Sequence, residues 1–281
     1  MGVDGPGIYE MPITEYVADP APKPSLNTST AVALLTQSPL HAKMQHVRLN
    51  PNAMRDESGR ADLGTVAHAL LLEGDNSKVV EIDAADWRTN AAKQARDEAR
   101  AAGKVPILKK DYSTVKFIVE KASDFMMGSE LCEDWLLAKP EQTLVWEEDG
   151  IWFRARPDKL TPDYRIDFDY KTSGSAHPAA FVKVAISQGY DLQVALRRRG
   201  IKALTGVDAK PIFVVQEIDA PYAVSLVSLS PMFMTIAEER LEIAIAKWKQ
   251  CLANNWWPGY PDKVATVDPP AWYGMDQLEA L

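Results

Sequence analysis

The chain has 281 residues, 46% of them apolar, which is enough for one large domain or two small ones with a substantial core. No apolar run reaches the length of a membrane span, the N-terminus lacks a secretory-signal pattern, and two distant cysteines, Cys132 and Cys251, exclude a disulfide framework and a four-cysteine iron–sulfur cluster. The net charge is −8, from 31 basic and 39 acidic residues, so any contact with nucleic acid must depend on local basic clusters.

The first half of the chain is predicted to be mainly helical, after an extended N-terminal arm. Residues 1–24 contain five prolines and few periodic apolar residues, so we expect an arm that could pack on a neighbouring subunit. A helix is predicted over 28–47, with an interruption at Ser38-Pro39. The other elements predicted in this half are a helix over 61–73, a strand over 79–83, and helices over 84–103, 109–127 and 130–138.

The second half mixes strands and helices. Residues 142–148 and 151–160 are predicted to form a hairpin around Asp149-Gly150, a pair typical of tight turns. The later predicted elements are strands over 164–171, 211–218 and 222–229, helices over 177–203 and 231–255, and an irregular tail over 258–281. This order predicts an α/β or mixed α+β fold, with a central mixed β-sheet flanked by helices, in a single domain over 25–257.

Charged side chains gather at the ends of two predicted strands. In the first, Pro157 cannot donate to a strand ladder, so pairing stops there and Asp158 follows at the break. In the second, Asp167, Asp169 and Lys171 alternate with apolar residues and therefore share one face. A strand face with three charged side chains cannot be buried away from water without compensation, so it must be solvated or hold an ion.

Two carboxylates beside a lysine are the groups that metal-assisted phosphodiester hydrolysis needs. Asp158 and Asp169 could hold Mg²⁺, which prefers oxygen ligands, and Lys171 could position the attacking water or stabilise charge on the phosphate. A D-x-K triplet alone is more often a solvated strand face, and Asp167 competes with Asp169 as the ligand. The preceding Arg-Pro-Asp strand end favours the catalytic interpretation.

The segment resembles the core of the PD-(D/E)xK nuclease superfamily, with Pro157-Asp158 and Asp169-Tyr170-Lys171 at the motif positions. Three further segments resemble RecE-like exonucleases of the exonuclease VIII type. They are the opening helix over 25–39, the G-x-x-x-H-x-x-x-L-E helix over 64–73, and the Tyr-x-x-Gln helix that contains Tyr190 and Gln193. The resemblance covers about residues 25 to 230. It departs from the fuller Q-x-x-x-Y pattern at Arg197, where an aromatic residue would be expected.

The resemblance implies a set of site residues. By it, Mg²⁺, for which Mn²⁺ can substitute, would be held by His68, Asp158, Asp169 and the backbone carbonyl of Tyr170. Lys171 would assist the water and Gln193 would orient groups nearby. Tyr190 would contact the residues that hold the metal. Glu73 could be a ligand or could contact the ligands, and its spacing of five residues from His68, which rotates it off the same helix face, favours the second role. Without the resemblance, a single histidine such as His68 on an apolar helix is more often structural than a ligand.

The resemblance also implies an activity. RecE-like enzymes degrade linear duplex DNA from the 5′ end and leave a 3′ single strand. The expected partners are therefore double-stranded DNA ends and a single-strand annealing protein. The expected assembly is a ring-shaped homo-oligomer, a trimer or tetramer. The expected setting is the cytoplasm of a bacterial host, with the gene carried by a phage or prophage.

Three local clusters of basic residues are candidates for DNA contact. They are Lys109 with Lys110, Arg154 with Arg156, and Arg197, Arg198 and Arg199 with Lys202. The arginine triplet is equally typical of a solvated helix end, where cations favour the helix dipole.

Two other functions remain open from the sequence. One is a single-strand or structure-specific nuclease on the same fold, which a comparison of duplex ends with nicks, flaps and circles would distinguish. The other is a non-catalytic DNA-binding or assembly protein. The intact Asp158, Asp169 and Lys171 disfavour it, whereas the acidic charge balance favours it mildly.

Overall fold

The protein is described by a computed structural model that covers residues 2–53, 63–74 and 79–269, with the backbone alone for Leu63 and Glu73. Its helices are α1 (Ile13–Val17), α2 (Thr28–Thr36), α3 (Pro39–Gln45), α4 (Leu63–His68), α5 (Asn90–Ala101), α6 (Lys109–Met127), α7 (Cys132–Leu137), α8 (Pro178–Gln188), α9 (Tyr190–Thr205) and α10 (Pro231–Asn254). Its strands are β1 (Gly7–Tyr9), β2 (Ser25–Leu26), β3 (Val79–Ile82), β4 (Val105–Leu108), β5 (Lys139–Pro140), β6 (Thr143–Glu148), β7 (Ile151–Ala155), β8 (Lys159–Leu160), β9 (Ile166–Ser173), β10 (Lys210–Glu217) and β11 (Val224–Val227). A π-helical turn, Ala69–Glu73, continues α4.

A five-stranded mixed sheet forms the centre of the fold, in the order β11-β10-β9-β8-β5. Strands β9 and β10 run parallel, and the other neighbours are antiparallel. Alternation along the middle strand, β9, sends Phe168 and Tyr170 into one hydrophobic core, together with residues of α4 and α6. Residues of α8, α9 and α10 form a second core with Phe213 and Val215 of β10. The predicted fold class, a central mixed sheet flanked by helices, is confirmed.

The predicted hairpin is confirmed, but it lies outside the central sheet. Asp149 and Gly150 have positive φ values of 52° and 80°, as a two-residue hairpin turn requires. Strands β6 and β7 pair with β1 and β2 in a separate four-stranded sheet, in the order β1-β6-β7-β2. The chain then leaves β7 and enters the central sheet at β8, so Asp158 lies at the junction between the two sheets.

The first 24 residues are not simply an extended arm. Strand β1 pairs antiparallel with β6 of the same chain, and the short helix α1 follows it. A buried polar network anchors the end of this segment. Asp19 accepts hydrogen bonds from the N–H and Oγ of Ser25 at 3.0 and 2.6 Å, and its Oδ1 lies 3.2 Å from the Nη1 of Arg154. These contacts fix the N-terminal segment on its own domain, because a buried charge requires a partner.

The predicted helix over 177–203 is in fact two helices. Gly189 ends α8 with a φ of +70°, and a Cβ at this position would lie 2.5 Å from Val32. Only glycine adopts this conformation at so close an approach without strain. The break turns α9 so that Tyr190, Gln193 and Arg197 all line one cleft. Strand β4 was not predicted, and α5 begins at Asn90 rather than near residue 84, because Thr89 caps it.

The packing of α9 on β6 predicts a specific loss of stability. A Cβ at Gly200 would lie 2.6–2.9 Å from the ring of Trp146, which is buried and stacked on Phe153. We expect Gly200→Ala to lower the free energy of unfolding by about 1–3 kcal/mol, since overpacking a rigid core forces it to shift. Urea denaturation measures the change. The matched control is Gly174→Ala, where a Cβ meets nothing within 4 Å; equal losses in both variants would contradict the packing described.

Candidate active site

The strand register brings Asp158 next to Asp169. Lys159 of β8 pairs with Phe168 of β9, so the preceding Asp158 lies beside Asp169, and its Oδ2 accepts the N–H of Tyr170 at 2.9 Å. The Nζ of Lys171 lies 2.8 Å from the Oδ2 of Asp169. The structure therefore brings the predicted carboxylate pair and the lysine together.

His68 is the last residue of α4, and its side chain contacts this pair at Asp158. Val66 and Ala67 are fully buried and hold the helix on the sheet, while the imidazole of His68 stays partly exposed. Its Nε2 lies 3.1 Å from the Oδ2 of Asp158. A π-helical turn begins at the next residue, and such turns are frequent at functional sites.

Glu141 belongs to the same cluster, although the sequence analysis did not single it out. Its Oε1 lies 3.8 Å from the Nδ1 of His68, and its backbone N–H donates to the carbonyl of Asp158 at 3.0 Å. Arg156 donates from Nε to the Oε2 of Glu141. Glu141 has a φ of +55°, a left-handed conformation that is uncommon for a residue with a side chain and often marks functional sites.

Arg197 is buried against three carboxylates. Its Nη1 lies 2.7 Å from the Oδ1 of Asp169 and 3.7 Å from the Oδ1 of Asp158, and its Nε lies 2.9 Å from the Oδ2 of Asp167. The residue is 1% exposed. The predicted charged face of β9 is therefore buried, and an internal cation compensates it.

These contacts set the protonation states of the cluster. Burial would raise the pKa of Asp158, but His68, Lys171 and Arg197 hold this pKa well below its usual range, so the carboxylate is ionised. Burial raises the pKa of Asp167 to about 7, because Arg197 only partly offsets the loss of solvent and the neighbouring carboxylates of Asp169 and Asp158 raise this pKa further.

The pKa values of Lys171 and His68 are both raised by the carboxylates around them. Burial would lower the pKa of Lys171, but Asp169 and Asp158 outweigh it and raise this pKa above its ordinary value. Burial likewise opposes protonation of His68, and the carboxylates of Asp158 and Glu141 raise its pKa in spite of that. The same acidic surroundings that hold these cations would also favour a divalent cation.

A cleft of about 840 Å³ opens over the cluster. His68, Asp158, Lys171, Glu141 and Arg197 lie along its wall. Two predicted residues of α9 complete that wall: the ring of Tyr190 lies 4.6 Å from the Nζ of Lys171, and the Oε1 of Gln193 is buried without a partner in the described part of the chain. Both residues therefore line the same cleft as Asp158, and their roles stay predictions.

The arginines that were predicted to contact DNA have other partners. Arg154 is bound to Asp19 and Ser25 in the interior, and Arg197 to the acidic cluster, so neither is available to a phosphate and we leave both out of a DNA surface. Arg156 binds Glu141 and Thr143 beside the cleft. Arg198 is partly exposed and bridges Asp208 and Glu238.

The remaining predicted residues are placed as follows. Lys109 and Lys110 are exposed at the start of α6. The side chain of Glu73 lies outside the described part of the structure. Tyr170 lies in β9, where its N–H binds Asp158, and the metal role of its carbonyl stays a prediction.

The donor atoms fit a divalent cation. One ligand atom from each of His68, Glu141 and Asp158 lies within 4.8 Å of the others, and imidazole with carboxylates suits Mg²⁺, Mn²⁺ or a similar ion. Asp169 is not part of this group, because its two oxygens contact Lys171 and Arg197. The geometry thus separates a candidate metal-binding side from a cation-bound side.

Comparison with known proteins agrees with this fold. A family profile, described as a PDDEXK-like domain of unknown function (DUF3799), matches residues 30–270, which is most of the chain. The chain belongs to this family. No curated protein matches the sequence.

Solved structures extend the comparison of this PDDEXK-like domain. A candidate exonuclease from Eubacterium rectale superposes with a TM-score of 0.63 at 12% identity, covering 98% of this chain and 100% of the other. A phage-related exonuclease from Haemophilus somnus 129PT is 17% identical over 68% of this chain and 95% of its own, with a TM-score of 0.29. The first similarity is one of fold alone.

Glu141 provides a test of the metal-binding side. We expect Glu141→Gln to weaken Mn²⁺ binding by at least about tenfold, because a neutral amide replaces an anionic donor. Isothermal titration calorimetry measures the affinity. The matched control is Glu148→Gln, which removes a glutamate that also pairs with an arginine, Arg199, outside the cluster; an unchanged affinity in Glu141→Gln would remove this residue from the site.

Proposed function

We propose that this PDDEXK-like domain is a metal-dependent deoxyribonuclease that hydrolyses phosphodiester bonds. The observation that carries the proposal is the joint position of Asp158, Asp169 and Lys171 where adjacent strands meet, with Asp158, Lys171 and the neighbouring His68 lining one cleft. Ionised carboxylates next to a charged lysine are costly to bury, so their convergence on an open cleft favours a chemical role over a structural one.

The chemistry follows from the groups at the cleft. A bound Mg²⁺ or Mn²⁺, held by His68, Glu141 and Asp158, would lower the pKa of a water and offset charge on the scissile phosphate. Lys171 is kept protonated and directed by Asp169, so its ammonium group would stabilise the negative charge that develops on the phosphate. The Tyr190 ring packs beside the Lys171 ammonium and limits its movement. Gln193 offers a carbonyl oxygen that has no hydrogen-bond partner among the described residues and that could orient a water.

Within this class, we propose an exonuclease that acts on the ends of linear duplex DNA, in the 5′ to 3′ direction. The support is the order of the motifs along the chain, which resembles that of RecE-like exonucleases. A single-strand annealing protein as partner, a ring-shaped trimer or tetramer, and a phage or prophage origin in a bacterial cytoplasm belong to the same proposal. The exposed Lys109 and Lys110 are its candidates for contact with DNA phosphates.

Digestion of DNA tests the activity and its residues together. We expect the wild-type protein with Mg²⁺ to degrade linear, 5′-phosphorylated duplex DNA, to spare covalently closed circles, and to stop in EDTA. Lys171→Ala should lower the rate by about 10²–10³-fold, since it removes a fixed positive charge at the reacting phosphate. Asp169→Asn should lower it similarly, because it removes the carboxylate that directs the Lys171 ammonium group. The matched control is Asp163→Asn, an exposed carboxylate before the same strand, which should keep full activity.

The other outcomes distinguish the alternatives. Cleavage of closed circles would indicate an endonuclease, and preference for unpaired DNA would indicate a single-strand nuclease. DNA binding without any cleavage, in a protein that binds Mn²⁺ normally, would indicate a non-catalytic protein on this scaffold.

A further inference from the structure

Arg197 stands where the Q-x-x-x-Y pattern of the RecE-like exonucleases would have an aromatic residue. The structure shows which groups its guanidinium contacts. The guanidinium stands between the two motif carboxylates, with its Nη1 2.7 Å from Asp169 and 3.7 Å from Asp158. Asp169 is therefore held between two cations, since its other oxygen contacts Lys171. An aromatic side chain at this position would carry no such charge.

The resemblance to PD-(D/E)xK nucleases places a divalent ion between these two carboxylates. In two-metal sites, ions about 3.5–4 Å apart share bridging carboxylates and neutralise them. Here a guanidinium neutralises the same groups on the Asp169 side. The donor group on the other side is formed by His68, Glu141 and Asp158, and among the described residues Arg197 pairs with only one of its members, Asp158, at 3.7 Å.

Arg197 is also fixed in place. Its Nε lies 2.9 Å from Asp167, which provides a second anchor at the base of the side chain. The neighbouring residues Leu196 and Ile201 are fully buried, and Gly200 packs directly on Trp146, so α9 cannot shift to release the side chain. The contacts with Asp167 and Asp169 therefore hold the Arg197 guanidinium in the site.

We propose that Arg197 is an internal cation that occupies the position between Asp158 and Asp169 at which the resemblance places a metal ion, and that the site consequently binds one divalent ion on the side of His68, Glu141 and Asp158. The inference deepens the proposed function and rests on its metal dependence. Arg197 acts here as a positioning residue, because it holds Asp169 and Asp158 apart from solvent and in register with Lys171.

Counting bound ions tests the proposal without any DNA. Equilibrium dialysis with Mn²⁺, read by electron paramagnetic resonance, should find one ion per wild-type chain at millimolar Mn²⁺. Arg197→Gln should bind two, because the amide leaves the carboxylates uncompensated. Arg197→Lys, which restores a single charge, should return the count to one. Arg198→Gln removes the next arginine of the same helix, which pairs with Asp208 and Glu238 instead, and should leave the count at one.

A second readout follows the metal-free protein. Without Mn²⁺, Arg197→Gln should unfold at a temperature lower by on the order of 10 °C, and saturating Mn²⁺ should recover most of that loss. A purely packing role for Arg197 would lower the temperature without changing the number of ions bound.

Two ions on the wild-type chain, no ion on it, or an unchanged single ion on Arg197→Gln would each overturn the proposal. If Arg197→Gln does not fold, the wild-type count decides: one ion supports the proposal and two overturn it. One bound ion with no cleavage of DNA would leave the role of Arg197 supported and would reject the proposed nuclease activity alone.

Discussion

The ion pairs between Arg197 and the carboxylates of β9 are the interaction on which the site depends. Asp167 and Asp169 are about 1% exposed and Asp158 is nearly as buried, so without an internal cation their charges would carry a large desolvation cost. Arg197 and Lys171 divide that compensation between them. Both cations contact Asp169, and the donor group of His68, Glu141 and Asp158 is the one that we propose for a divalent cation.

The rest of the fold positions these groups. Gly189 interrupts the helical stretch after β9 and turns α9 onto the cleft, and the junction between the two sheets places Asp158 beside Asp169. The N-terminal segment supports the second sheet, since Asp19, Ser25 and Arg154 form a closed buried network under the hairpin.

The sequence predicted the parts of this arrangement that follow from local periodicity. Strand alternation placed Asp167, Asp169 and Lys171 on one face, and α6 was predicted over the same residues that the structure shows. Glu141 was missed because it lies in a two-strand junction with a left-handed backbone, where no periodic pattern exists. Arg154 and Arg197 were assigned to a surface because charge alone does not reveal a buried partner that is distant in sequence, such as Asp19 or Asp169. The helix break was missed because one glycine within a helical pattern is often tolerated.

The most direct test of the account is a crystal structure of the protein soaked in Mn²⁺, with anomalous scattering used to locate the ion. The account predicts one anomalous peak in contact with His68, Glu141 and Asp158, and an Arg197 side chain that still binds Asp169 and Asp167. A peak between Asp158 and Asp169 with Arg197 displaced, or no peak in the cleft at all, would contradict it.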